Sequence, residues 1–347
     1  MNSAHTIQRS ARSQNQRGVT LVELMIAMVI GLFLLLGTVT VFQQSRSNFR
    51  VSDSIARLQE NGRFVLDMME PDIRVAKLWG RSGDPGLIDN VLPGGLTVTC
   101  DTVDSSAAML PPTTYTAWAL DINREVWAVD ESSGYGHAAL GVPCSPNAGA
   151  QAQSDALVIR RASTQPIVPT AGMIQVHTDL TRGEFFNDGA VPVGYAAAAQ
   201  THNVVTNVYY VSPRSDLDPN MPSLRIKTLM PGGVHQDQEI MPGVENLQVQ
   251  LGVDTDDDLE IERYVDADHD IVNPTTGGTI PDAQILAVRL WIVMRSDAVE
   301  VGFTDNAQYL SPDPDVVVIP CAGGGCGYPD NFRRLAISTT VALRNNR

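Results

Sequence analysis

A lone carboxylate opens the question of chemistry. From Val19 to Phe42 the chain carries one charge, Glu23, at the head of an otherwise apolar run. An ionised acid at the centre of such a run costs about 2.5–3.5 kcal/mol on insertion scales and less near an end, so a partner is expected. A cut after Gly18 would create one. The new α-amine on Val19 would lie four residues from Glu23, one turn away on the same helix face. The pair could close within one chain, or between the amine of one chain and Glu23 of the next in a staggered bundle.

A second group of acids runs through Asp254, Asp256, Asp257, Asp258, Glu260, Glu262, Asp266, Asp268 and Asp270. The Asp-x-Asp-x-Asp spacing of Asp254, Asp256 and Asp258 could supply oxygen ligands to calcium. An EF-hand register beginning at Asp254 puts Leu259 where glycine is needed and Val265 where a bidentate glutamate is needed. One beginning at Asp266 puts Ile271 and Gly277 there. Both registers fail, which leaves a solvated acidic loop, with irregular calcium binding as its rival.

No catalytic constellation is evident. His5, His137, His177, His202, His235 and His269 are scattered, and the sequence lacks a G-x-S-x-G elbow, an H-E-x-x-H helix, a phosphate loop and a dinucleotide fingerprint. The histidines read as surface or strand residues, and no cofactor is called for apart from the calcium alternative. The net charge of −15 and the scattered arginines and lysines argue against a nucleic-acid partner.

The elements that would position these residues follow from pattern. Val19 to Phe42 makes roughly 36 Å of helix, enough for a bilayer core of about 30 Å. It is too long for the apolar core of a secretory signal, and no Ala-x-Ala site follows it. Beyond it, Val51, Ile55, Leu58, Gly62, Val65, Met69, Ile73 and Ala76 recur every three or four residues, a stripe on which a globular domain can pack. Pro71 predicts a kink or a restart, and Gly80 with Ser82 to Gly86 a stop.

From there on, short apolar runs alternate with Gly, Pro, Asn and Asp clusters, the pattern of an antiparallel β domain. Strands are expected at Leu96 to Cys100, Ala156 to Arg161, Val204 to Val211, Leu224 to Thr228, Leu247 to Val253, Gln284 to Arg295 and Leu335 to Leu343. The alternation is plainest in Leu286, Val288, Leu290, Ile292 and Met294, and in Leu335, Ile337, Thr339, Val341 and Leu343.

The basic leader ending in Gly18, followed by Val19-Thr20-Leu21-Val22-Glu23-Leu24-Met25-Ile26-Ala27, closely resembles the start of type IV prepilins. The resemblance implies that a prepilin peptidase/methyltransferase cuts after Gly18 and methylates Val19, where the family usually has phenylalanine, and that Glu23 guides helix registration. Three further segments resemble PilW-type minor pilins: Gln59-Glu60-Asn61-Gly62-Arg63-Phe64, Val244-Glu245-Asn246-Leu247-Gln248-Val249-Gln250, and Arg333-Arg334-Leu335 through Arg344-Asn345. Residues 100 to 200 carry no such resemblance.

The fold implied is α+β and type IV pilin-like, a long N-terminal helix packed on an antiparallel β-rich domain. Its parts are a leader at 1–18, a helix at 19–79 with a transmembrane half (19–42) and an amphipathic half (43–79), and a periplasmic β-rich domain at 80–347. The implied role is structural and non-enzymatic: a subunit, single-pass in the bacterial inner membrane, that primes pilus assembly with other minor pilins and the major pilin and sits at the tip beneath an adhesin. The alternatives are a tip-complex pseudopilin of a type II secretion system and, from another class, a membrane-anchored periplasmic enzyme.

Cys100, Cys144, Cys321 and Cys326 all follow the span, on what would be the oxidising side of the membrane. Two disulfides fit, of three possible connectivities. Cys100–Cys144 with Cys321–Cys326 is favoured, since the Ala-Gly-Gly-Gly between the last two can fold back. The spacings do not match paired zinc ligands.

Overall fold

A computed structural model describes residues 18–89, 96–100, 119–130, 149–151, 153–267, 269–272, 283–300, 302–312, 317–318 and 328–345. The chain divides into two compact units, Met1–Asp53 and Ser54–Arg347.

One helix, α1 (Leu21–Arg74), contributes to both. In the first unit its side chains are exposed as far as Arg50, including Leu24, Met28, Leu32, Leu35 and Phe42, and it is long and apolar enough to cross a membrane. The hydroxyls of Thr38 and Thr40 donate to the carbonyls of Leu34 and Gly37, both at 2.8 Å. These bonds satisfy the two hydroxyls within the helix itself.

In the second unit the face of α1 that is buried carries Leu58, Gly62, Val65, Leu66, Met69, Asp72 and Ile73. The stripe is the one the spacing predicts from Leu58 onward, whereas Ile55 is exposed. Pro71 does not stop the helix, which runs on to Arg74. The predicted boundary at residue 79 is therefore too late. Lys77 takes a positive φ of 64°, which turns the chain out of helical geometry. The C-terminal segment then closes the helix end: the Arg344 N–H donates to the Arg74 carbonyl at 3.0 Å, and the Asn345 amide to the Ala76 carbonyl at 3.0 Å.

The strands are β1 (Ile88–Asp89), β2 (Thr99–Cys100), β3 (Val126–Val129), β4 (Ala156–Ala162), β5 (Gln175–Thr178), β6 (Gly183–Phe186), β7 (Gln200–Ser212) and β8 (Ser223–Met230). They continue with β9 (Val234–Pro242), β10 (Val244–Asp254), β11 (Arg263–Asp266), β12 (Gln284–Arg295), β13 (Tyr309–Leu310), β14 (Val317–Val318) and β15 (Arg334–Ala342). The larger sheet runs β1-β6-β5-β7-β8-β9-β2, with β4 also on β7 and β3 on β4. The second runs β11-β10-β12-β15. Pairing is antiparallel except at two short contacts, β1 with β6 and β2 with β9, which are parallel.

One core joins the helix to both sheets. Leu58, Val65, Met69 and Ile73 of α1 pack with Leu157, Ile159 and Tyr209 of the larger sheet and with Leu247, Val249, Leu290, Ile292 and Val341 of the second. Alternation in β12 and β15 sends one set of side chains to this core. On the opposite face, Trp291 and Val293 pack with Tyr328.

Candidate functional site

Gly18, Val19 and Thr20 are exposed and non-helical, and α1 starts at Leu21. The start is set by Thr20: its carbonyl accepts the Leu24 N–H at 3.1 Å and its hydroxyl accepts the Glu23 N–H at 3.3 Å. That is the side-chain half of a Thr-x-x-Glu capping box, with Thr20 as N-cap and Glu23 three residues in. The structure therefore places Gly18 and Val19 just before the N-cap and Glu23 in the first turn of α1. It also adds Thr20, whose Thr-x-x-Glu spacing before an apolar run was the available signal. The acid sits in the first turn, where the helix dipole favours negative charge.

The three segments resembling PilW-type pilins meet in the second unit. Gly62 of α1 lies so close to β15 that a Cβ there would stand 2.2 Å from the Ile337 Cδ1 and 3.3 Å from the Met294 Cγ. Only glycine permits this approach without movement of the sheet side chains. Glu245 of β10 and Arg334 of β15, separated by 89 residues, form a fully buried ion pair in which Arg334 Nη2 donates to Glu245 Oε1 at 3.0 Å. Arg295 of β12 stands 3.5 Å from the same carboxylate, and Arg334 also donates to Asp305 at 3.1 Å. Removing one member of such a network costs about 3–5 kcal/mol, because the charge left behind stays buried and unpaired.

Asp72 was not singled out by the sequence. It occupies the buried stripe of α1 between Met69 and Ile73, takes an ion pair from Arg161, and accepts hydrogen bonds from Asn207 Nδ2 and Tyr209 Oη, both at 2.8 Å. An acid at a core-facing helical position was the signal. It ties α1 to β4 and β7.

Asp254, Asp256, Asp258 and Glu262 each offer a carboxylate oxygen within 4.8 Å of the others, a set that could hold a hard cation. Asp254, Asp258 and Glu262 already serve the loop, Asp258 by accepting the Glu260 N–H at 2.8 Å. Asp254 is buried and accepts the N–H groups of Asp256, Asp257 and Leu259 at 3.1, 2.8 and 2.8 Å, while Glu262 accepts the Thr255 N–H at 2.8 Å. Those backbone bonds hold the Asp254 carboxyl below the usual range against the effect of burial. Asp256 is shifted upward, chiefly by Asp258, with burial and Glu262 adding to it.

Cys144, Cys321, Cys326 and the side chain of Cys100 lie outside the described residues, as do His5 and His137. His177, His202 and His235 are strand residues with separate partners: the Thr201 hydroxyl at 2.8 Å, the Ser163 carbonyl at 2.7 Å and the Thr206 carbonyl at 3.3 Å. Burial pushes His235 down to about 3, so it stays neutral.

A long N-terminal helix with an exposed apolar half, followed by a β-rich domain of antiparallel sheets, is a pilin-like fold. Residues 13–39 match the prokaryotic N-terminal methylation motif, and residues 208–345 match the family of type IV pilus-assembly protein W. Residues 208–345 are thus similar to type IV pilus-assembly protein W, and the start of the chain to an N-terminal methylation motif. No curated protein sequence matches it. Among solved structures, a type IV-like pilin from Thermus thermophilus aligns at 13% identity over 67% of this chain and 95% of its own length, with a TM-score of 0.25.

Proposed function

We propose that this chain is a minor pilin that primes type IV pilus assembly from the bacterial inner membrane and takes a place in the tip complex. Prepilin peptidase cuts after Gly18 and methylates Val19, and Glu23 then pairs with an N-terminal amine as helices bundle. The domain after α1 is periplasmic and meets other minor pilins, the major pilin and an adhesin at the tip. The observation that carries the reading is the joint match of residues 13–39 to the methylation motif and of 208–345 to the pilus-assembly family. The second match favours a pilus over a secretion pseudopilus, since the processing motif serves both.

Deleting the gene tests the assignment. Loss of surface pili and twitching with type II secretion intact is the expected phenotype. Intact pili with lost secretion would move the chain to the pseudopilins.

A further inference from the structure

Just past the end of α1 the second unit holds a cavity of about 200 Å³ with a single sign of charge. Lys77, Arg81 and Arg344 line it, with Ser82, Gly83 and Asn345 between them, and no carboxylate is among its lining residues. In a chain with 39 acids to 24 bases, three cations gathered around one hollow without an acid is against the average of the surface. Arg81 and Arg344 form no ion pair with any described residue, whereas Arg161, Arg225, Arg295, Arg333 and Arg334 are each paired.

The walls are fixed by the fold. Gly80, at a φ of +68°, turns the chain so that the Arg81 N–H reaches the Thr178 hydroxyl at 3.0 Å. A Cβ on Gly80 would stand 2.5 Å from that hydroxyl oxygen and 2.8 Å from the His202 ring, so the turn admits only glycine. From the other side, the bonds of the Arg344 N–H and the Asn345 amide to the end of α1 hold the C-terminal segment against the cavity. They also satisfy helix carbonyls that would otherwise compete for the cations. Glu125, the acid coupled to Lys77, is turned to the Trp79 indole N–H at 2.8 Å and does not line the cavity.

We infer that this cavity is an oxyanion-binding site, taking a phosphate or a carboxylate between the Arg81 and Arg344 guanidiniums with Lys77 as a third charge. Planar guanidinium forks match both anions in bidentate geometry; the Ser82 hydroxyl in the lining is already spent, donating to the Asp84 carbonyl at 2.8 Å. A volume of about 200 Å³ holds such a group together with water.

The test titrates the full chain in detergent with inorganic phosphate and, separately, with succinate, at an ionic strength held constant with sodium chloride. Calorimetry and melting temperature are the readouts. A saturable heat and a saturable rise in Tm with at least one oxyanion are expected, and the stronger of the two names the ligand class. In the double variant Arg81→Gln/Arg344→Gln affinity should fall by about tenfold or more. Arg63→Gln, at an exposed arginine on α1, should leave it unchanged. Arg81→Lys, which keeps the charge but loses the fork, should bind more weakly than the native chain. No saturable response to either oxyanion, or equal binding in the double variant, would overturn the assignment.

Discussion

Thr20 and Glu23 are joined by a hydrogen bond, the Glu23 N–H donating to the Thr20 hydroxyl at 3.3 Å. The bond fixes where α1 begins, and so fixes that Val19 stands just outside the helix with Glu23 one turn in. A cut after Gly18 would then leave the new amine on Val19 just before the N-cap and the Glu23 carboxylate in the first turn of α1. Replacing Glu23 by Ala should leave cleavage intact, because Gly18 and Val19 are untouched, and should reduce pilus assembly severely. The check is immunoblotting for the processed chain beside pilus counts; normal piliation in the variant would remove the charge pairing from the account.

Gly62 sets the distance between α1 and β15. Replacing it with Leu forces a bulky side chain onto Ile337 and Met294, with an expected destabilisation of about 2–3 kcal/mol from overpacking, only partly offset by better helix propensity. Urea denaturation measures this. Gly62→Ala should cost less, since the nearest atom is the far end of Ile337. A Leu variant as stable as the native chain would mean that the helix stands off the sheet.

Burial raises the Glu125 carboxyl to about 7, with Lys77 and the Trp79 hydrogen bond pulling it back in part. The folded chain therefore holds a proton that the unfolded chain, titrating near 4.5, has released. Stability from this group is fullest below pH 4.5 and falls as pH rises from there toward 7, by an amount of the order of 3 kcal/mol. Glu125→Gln should flatten that limb of the pH–stability profile. An unchanged slope between pH 4.5 and 7 in the variant would place Glu125 in a more polar setting than the structure gives it.

The acidic loop is expected to be a solvated loop and not a calcium site, since Asp254 and Glu262 already spend oxygens on its backbone. Millimolar calcium should then leave Tm where an ionic-strength-matched sodium control leaves it. A saturable rise that disappears in Asp256→Asn/Asp258→Asn would reassign the loop to calcium.

Much of this architecture was legible in residue spacing. In β12 and β15 the larger apolar residues recur at every second position, from Leu286 to Met294 and from Leu335 to Val341, so the strands and their core-facing sides follow from the sequence, whereas the burial of Trp291 and Val293 on the other face of β12 does not. The stripe from Leu58 to Ala76 was equally plain, because a helix against a sheet needs one continuous apolar face. β9 was not legible. Its His235-Gln236-Asp237-Gln238-Glu239 reads as a polar loop, yet Asp237 and Glu239 are cross-strand partners of Arg225 on β8, so its polarity is satisfied across the sheet and not by water. β5 and β6 are four residues each, too short for a period to show. The ion pair of Glu245 with Arg334 was hidden for a different reason: nothing local links positions 89 residues apart until β12 brings β10 and β15 to its two edges.

Processing after Gly18 carries the whole reading, and one measurement addresses it directly: intact mass and N-terminal sequencing of the chain extracted from membranes of cells with and without prepilin peptidase. The account predicts an N-terminus at methylated Val19 in the first and an uncut Met1 in the second. An uncut Met1 in both would contradict it, leaving a permanently anchored protein whose Glu23 has no amine to meet.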